Sequence, residues 1–130
     1  MSGPGEPPVP ATELVRVIDQ GAIDRYAEVS GDRNPLHIDP AFAARTQFGG
    51  TVAHGMLLLA YVSEALAQAC GRPWLERGRM RARFRAPARP GDTVRVRVTA
   101  RGQTAWQVEV VDQRGQLLVT AEAEVPPAPA

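Results

Sequence analysis

Lysine is absent: all 15 basic side chains of this 130-residue chain are arginine, set against 14 acidic ones, for a net charge of +1. A balance this close to zero provides no global field for nucleic acid. Cys70 is the only cysteine, which excludes an intramolecular disulfide and a thiolate cluster for zinc, and makes a reducing, cytoplasmic setting the expectation. Long apolar runs are also missing. The longest, Met56 to Val62, falls well short of a membrane span. The opening MSGPGEPPVP has neither a basic flank nor an apolar stretch, so residues 1–10 are expected to form a flexible lead and not a signal peptide. Pro126, Pro127 and Pro129 lack amide donors, so residues 126–130 are expected to form a loose tail. What remains, residues 11–125, is one domain; with 44% hydrophobic residues it holds a core without metal or disulfide help.

The elements follow from pattern. Leu14 to Ile18 is a short β-branched run and a first strand. Asp19 offers a helix N-cap, apolar positions recur at helical spacing through Ile23, Tyr26 and Ala27, and Gly31 ends the helix. Asn34-Pro35 marks a turn, and Asp39-Pro40 starts another short helix. From Thr51 or His54 to Cys70 the chain is apolar almost all round, with Glu64 and Gln68 its only strongly polar side chains, so this helix must be enclosed by other elements. Downstream, Met80, Ala82, Phe84 and Ala86 alternate with arginines, giving a strand with one dry and one wet face. Turns at Pro90-Gly91-Asp92, Gly102-Gln103 and Gln113-Arg114-Gly115 separate three more strands, and the four together read as an antiparallel meander.

The chemistry is concentrated in Ser30-Gly31-Asp32-Arg33-Asn34-Pro35-Leu36-His37 and in His54-Gly55 at the head of the long helix. Taken singly, these residues have ordinary readings: Asp32 and Asn34 as Asx-turn residues, His37 as a hydrogen-bonded turn histidine, and His54 as a pin between loop and helix. Two histidines without a third ligand at helical spacing do not make a zinc site. Ser63 has no base offered to it and reads as a small packing residue, and Cys70 as buried filler. Together, a carboxylate, an amide and an imidazole within six residues form a reactive-centre candidate.

The runs DRNPLHIDPAFA, FGGTVAHGML and FRAPARPGDTV closely resemble the MaoC-like (R)-specific enoyl-CoA hydratases, over roughly Ile18 to Val125. The resemblance implies a hotdog fold, an α+β architecture in which an antiparallel sheet wraps a long central helix. It implies Asp32 and His37 as the catalytic pair, the Gly55 backbone N–H as donor to the thioester carbonyl, and Ser63 near the site. It also implies a homodimer with sheets joined edge to edge and the site shared between subunits.

The residue types suit that chemistry. Hydrating a 2-enoyl thioester needs a base to activate water at C3, an acid to protonate C2, and a donor for enolate charge on the carbonyl oxygen. Asp32 and His37 can hold one water between them, Asn34 can orient it or hold the turn, and neither metal nor organic cofactor is required. Leu58 and Trp74, with Leu57 and Tyr61, are candidates to line the acyl tunnel. The short Gly71–Gly78 segment leaves its length open. The expected activity is reversible hydration of a trans-2-enoyl-CoA or acyl-carrier thioester to the (R)-3-hydroxyacyl thioester. Alternatives are a hotdog thioesterase and a non-catalytic acyl-thioester-binding subunit of a larger complex; no nucleic acid or membrane partner is expected. The arginine stripe from Arg77 to Arg85 reads either as the solvated outer face of a strand or as a contact for coenzyme A phosphates.

Overall fold

The computed structural model describes residues 12–129; the lead assigned to residues 1–10 lies outside them. The elements run β1 (Thr12–Ile18), α1 (Gln20–Ser30), α2 (Pro35–Ile38), α3 (Pro40–Ala44), α4 (Gly55–Cys70), α5 (Arg72–Arg77), β2 (Arg79–Phe84), β3 (Asp92–Ala100), β4 (Ala105–Val111) and β5 (Leu117–Glu124). The five strands form one antiparallel sheet in the order β1-β3-β4-β5-β2. A sheet carrying one long helix is the hotdog arrangement expected.

The strand pattern explains which face is dry. Val94, Val96 and Val98 of β3 are fully buried, and Arg95 and Arg97 between them are exposed. Val108 and Val110 of β4 and Ala121 and Ala123 of β5 continue the same apolar layer. Against it lies α4, burying Leu57, Leu58, Val62, Ala65 and Leu66. A Leu→Ala change at Leu66, which has no exposed surface, removes packing worth about 2–5 kcal/mol. An ion pair ties helix to sheet: both Glu64 carboxylate oxygens accept from Arg16 Nη2 at 2.7 Å.

Three details differ from the sequence reading. The four downstream strands are not one meander: β3, β4 and β5 are, but β2 lies beyond β5 at the far edge. The hairpins joining β3 to β4 and β4 to β5 fill the middle, and β1 takes the free side of β3, so β2 can pair only with β5. Phe84, assigned to the dry face, is 55% exposed at the end of the edge strand. Helix α4 is not enclosed all round: Met56 is 59% exposed, Ala60 is exposed as well, and Leu59 and Tyr61 are half-buried.

The segment after α4 forms a helix of its own. Pro73 lies in the first turn of α5, and Trp74 folds back on α4, where its Nε1–H donates to Ser63 Oγ at 2.9 Å. Gly78 makes room for that ring, since a Cβ there would come within 2.0 Å of Trp74 Cε3. Residues 126–129 adopt no regular element, and the Pro126 carbonyl accepts from Arg77 Nε at 3.1 Å.

Candidate active site

Each half of the candidate site is delivered by a helix boundary. Asp19 Oδ1 caps α1 by accepting from the Ala22 N–H at 2.7 Å, and α1 ends at Gly31, whose φ of 81° suits a residue without Cβ. The turn that follows is held by a ladder of short bonds. Ser30 Oγ accepts from the Asp32 N–H at 3.1 Å, Asp32 Oδ1 from the Asn34 N–H at 3.2 Å, and Asn34 Oδ1 from the Leu36 N–H at 3.0 Å. Asn34 is thereby the N-cap of α2, with Pro35 in its first turn.

His37 is the third residue of that short helix, and its Nδ1 lies 2.8 Å from the Val52 carbonyl. A carbonyl can only accept, so Nδ1 carries hydrogen; in the neutral ring the lone pair is on Nε2. Gln20, one residue past the α1 cap, braces the same turn: its Nε2 donates to the His37 carbonyl at 2.8 Å, and its Oε1 accepts from Thr51 Oγ1 at 2.7 Å.

The second half is the head of α4. His54 is its N-cap residue and Gly55 its first helical residue, with an amide of the kind left without an intrahelical partner. His54 is 1% exposed and its Nε2–H donates to the Asp32 carbonyl at 2.9 Å. Its ring stacks on His37, with centroids 3.9 Å apart and planes at 24°, and meets the Tyr26 ring edge-on at 4.9 Å. The Phe84 ring covers Gly55, where a Cβ would sit 2.8 Å from Cε1 and Cζ.

Asp32, His37 and His54 each bring a ligand-type atom within 4.8 Å of the others. Folding thus supplies the third donor that sequence spacing did not. The set still does not suit a metal ion. With ring planes at 24° and centroids 3.9 Å apart, the in-plane lone pairs of the two imidazoles lie in nearly parallel planes, whereas zinc needs nitrogens converging at about 2.1 Å. Two polar groups less than 5 Å apart suit a shared water, which spans about that distance with two hydrogen bonds of about 2.8 Å.

Of the residues singled out from sequence, Asp32, Asn34, His37 and Gly55 come together, with Asp32 exposed and His37 half-buried. Ser63 does not join them. It lies eight residues along α4, about 12 Å from Gly55 by the helical rise, and holds the Trp74 indole. Leu58 and Trp74 are buried in the core, at 2% and 8% exposure. Gln20 and Thr51 were missed, because a glutamine beside an N-cap and a threonine in a loop carry no local signal. The arginine stripe points outward: Arg79 lies 3.9 Å from Glu124, Arg85 donates to Thr120 Oγ1 at 3.2 Å, and Arg81 and Arg83 have no ion pair among the described residues.

Fold and site together define a hotdog domain with a carboxylate and an imidazole at the head of its central helix. The chain belongs to the MaoC-like family, whose model, described as MaoC like domain, matches residues 3–123. It is 39% identical to a 3-hydroxybutyryl-CoA dehydratase of Methylorubrum extorquens over 85 residues, 65% of this chain and 54% of that protein. It is also 39% identical to an (R)-specific enoyl-CoA hydratase of Aeromonas caviae over 107 residues, 77% of this chain and 79% of that one. Among solved structures, an unliganded R-hydratase from Pseudomonas aeruginosa superposes with a TM-score of 0.79 at 31% identity, covering 94% of this chain and 88% of the other.

Proposed function

We propose that this chain is a hydro-lyase that adds water reversibly across the double bond of a trans-2-enoyl-CoA to give the (R)-3-hydroxyacyl-CoA. The observation that carries the reading is the Asp32–His37 pair, side by side within 4.8 Å at the head of α4. The names of the hydratase and dehydratase relatives support the thioester substrate.

In this reading one water sits between the Asp32 carboxylate and His37 Nε2. As its oxygen bonds to C3, the pair takes up one proton, and the enolate that forms on the thioester oxygen is met by the Gly55 N–H. The 16 residues of α4 place the positive end of a helix dipole behind that amide. Collapse of the enolate draws a proton from the pair to C2, so that both added groups derive from a single water. Asn34 holds the turn through its cap to Leu36. Leu58, Ser63 and Trp74 are assigned to the acyl side, as the wall that the thioester tail meets beyond the reacting atoms. No metal or organic cofactor enters any step.

We further propose that it acts in fatty acid metabolism in the cytoplasm, as one domain over residues 11–125, and as a homodimer. No helix of the described residues is long and apolar enough to cross a membrane. The open edge of β2, with Phe84 and Met56 both more than half exposed, supports joining to a second copy.

The test is Asp32→Asn and His37→Gln, each removing one proton-handling group at nearly constant size, followed by loss of enoyl absorbance with crotonyl-CoA. Each is expected to lower kcat by about 100-fold or more. A folded variant that keeps the wild-type rate would end the proposal.

A further inference from the structure

We infer that His54 is a positioning residue that holds Asp32 and His37 in register; the inference rests on the hydratase reading above. Stability does not account for a histidine here. An N-cap is best filled by Ser, Thr, Asp or Asn, worth about 1 kcal/mol, yet His54 makes no side-chain bond to the helix it caps. Among the described residues its Nδ1 is buried without a hydrogen-bond partner, an arrangement that costs about 1–3 kcal/mol. A residue that breaks two local rules at the edge of a reactive cluster is retained for what its remaining atoms do.

Those atoms reach both members of the pair. The Nε2–H fixes Asp32 through its main-chain carbonyl, while the Asn34 N–H holds the same residue's carboxylate from the other side. The ring face lies on His37, whose Nδ1–H is tied to Val52, so the stack fixes the plane in which the His37 Nε2 lone pair points. Tyr26, edge-on to His54, stops that ring from swinging away. His54 is joined by one peptide bond to Gly55, the proposed oxyanion donor. One imidazole therefore sets the relative placement of three groups that must act on one thioester, and in such sets a displacement near 1 Å costs about 100-fold in rate. The two stacked rings also carry opposite tautomers, His37 on Nδ1 and His54 on Nε2.

Two measurements test this. In crotonyl-CoA hydration, His54→Leu is expected to lower kcat about 100-fold with KM within about threefold, and His54→Gln, whose amide can still donate to the Asp32 carbonyl, to recover at least tenfold of that loss. Long-range proton–nitrogen spectra of the wild-type protein are expected to show the two opposite tautomers, a readout independent of whether either variant folds. Wild-type kcat in His54→Leu, a folded His54→Gln no faster than His54→Leu, or hydrogen on His54 Nδ1 in place of Nε2 would each overturn the inference. If Asp32→Asn and His37→Gln are also fully active, the hydratase reading falls with it; if they are dead while His54→Leu is normal, only the positioning role is lost.

Discussion

Gly55→Ala separates the two demands made on the head of α4. The new Cβ would meet Phe84 Cε1 and Cζ at 2.8 Å, about 0.7 Å inside the normal carbon–carbon contact of about 3.5 Å. Phe84 ends an edge strand and is 55% exposed, so its ring gives part of the way and the head of α4 takes up the rest, and the packing cost falls at the low end of overpacking, about 1 kcal/mol. Alanine in a helix regains nearly as much over glycine, up to about 1 kcal/mol. The net change in stability is therefore close to zero. Activity has no such compensation, because an amide pushed even part of 0.7 Å from the thioester oxygen loses its aim. The expected outcome is a melting temperature within about 4 °C of wild type and a kcat lowered 10- to 100-fold, about 1.4–2.7 kcal/mol in the barrier. Gly55→Ala with Phe84→Ala relieves the contact and should return most of the lost rate. Thermal melts with initial rates on crotonyl-CoA decide the matter. A single variant as fast as wild type, or a double variant no faster than the single, would refute the reasoning.

Burial alone would raise the Asp112 carboxyl, but the Gln116 and Arg114 amides and the Arg114 guanidinium outweigh it and hold it below the ordinary carboxylate value. A depressed folded value contributes stability above the unfolded value of about 3.9 and loses it as pH falls through the folded one. Asp112→Asn should thus unfold more easily in urea at pH 7 and lose less stability than wild type as pH falls below about 4; parallel acid titrations of both proteins would contradict this. On the outer face of β2, Arg81→Gln with Arg83→Gln should leave KM for an enoyl-CoA within about twofold, as a solvated stripe requires. A KM raised tenfold with kcat intact would assign the stripe to coenzyme A phosphates instead.

The elements closest to the chemistry were the most legible, because their signals are local. Asp19, Asn34-Pro35 and Asp39-Pro40 cap or break helices by their own side chains and Gly31 by lacking one, so the turns carrying Asp32 and His37 could be placed from sequence. Arginine–valine alternation gave β3 its two faces for the same reason. Strand order was hidden, since pairing β2 with β5 instead of β3 depends on which edges the other strands leave open. Trp74 reaching back to Ser63, and Gln20 bridging His37 and Thr51, are contacts across the fold that no spacing rule encodes. The stacking of His37 on His54 was likewise out of reach, because sixteen positions of loop and helix intervene and bonds to the Val52 and Asp32 carbonyls bring the rings together.

The seam between β1 and β3 joins Thr12 to Val98 and Ile18 to Asp92, enclosing the whole reactive segment in one long chain closure. Such distant pairings form slowly, on the millisecond-to-second scale. Asp19 and Gln20 hang from the last residue of β1, so until that strand docks, the brace beneath His37 has no anchor. Recovery of turnover during refolding should consequently lag behind the appearance of helical signal, marking the moment when the first strand clasps the sheet.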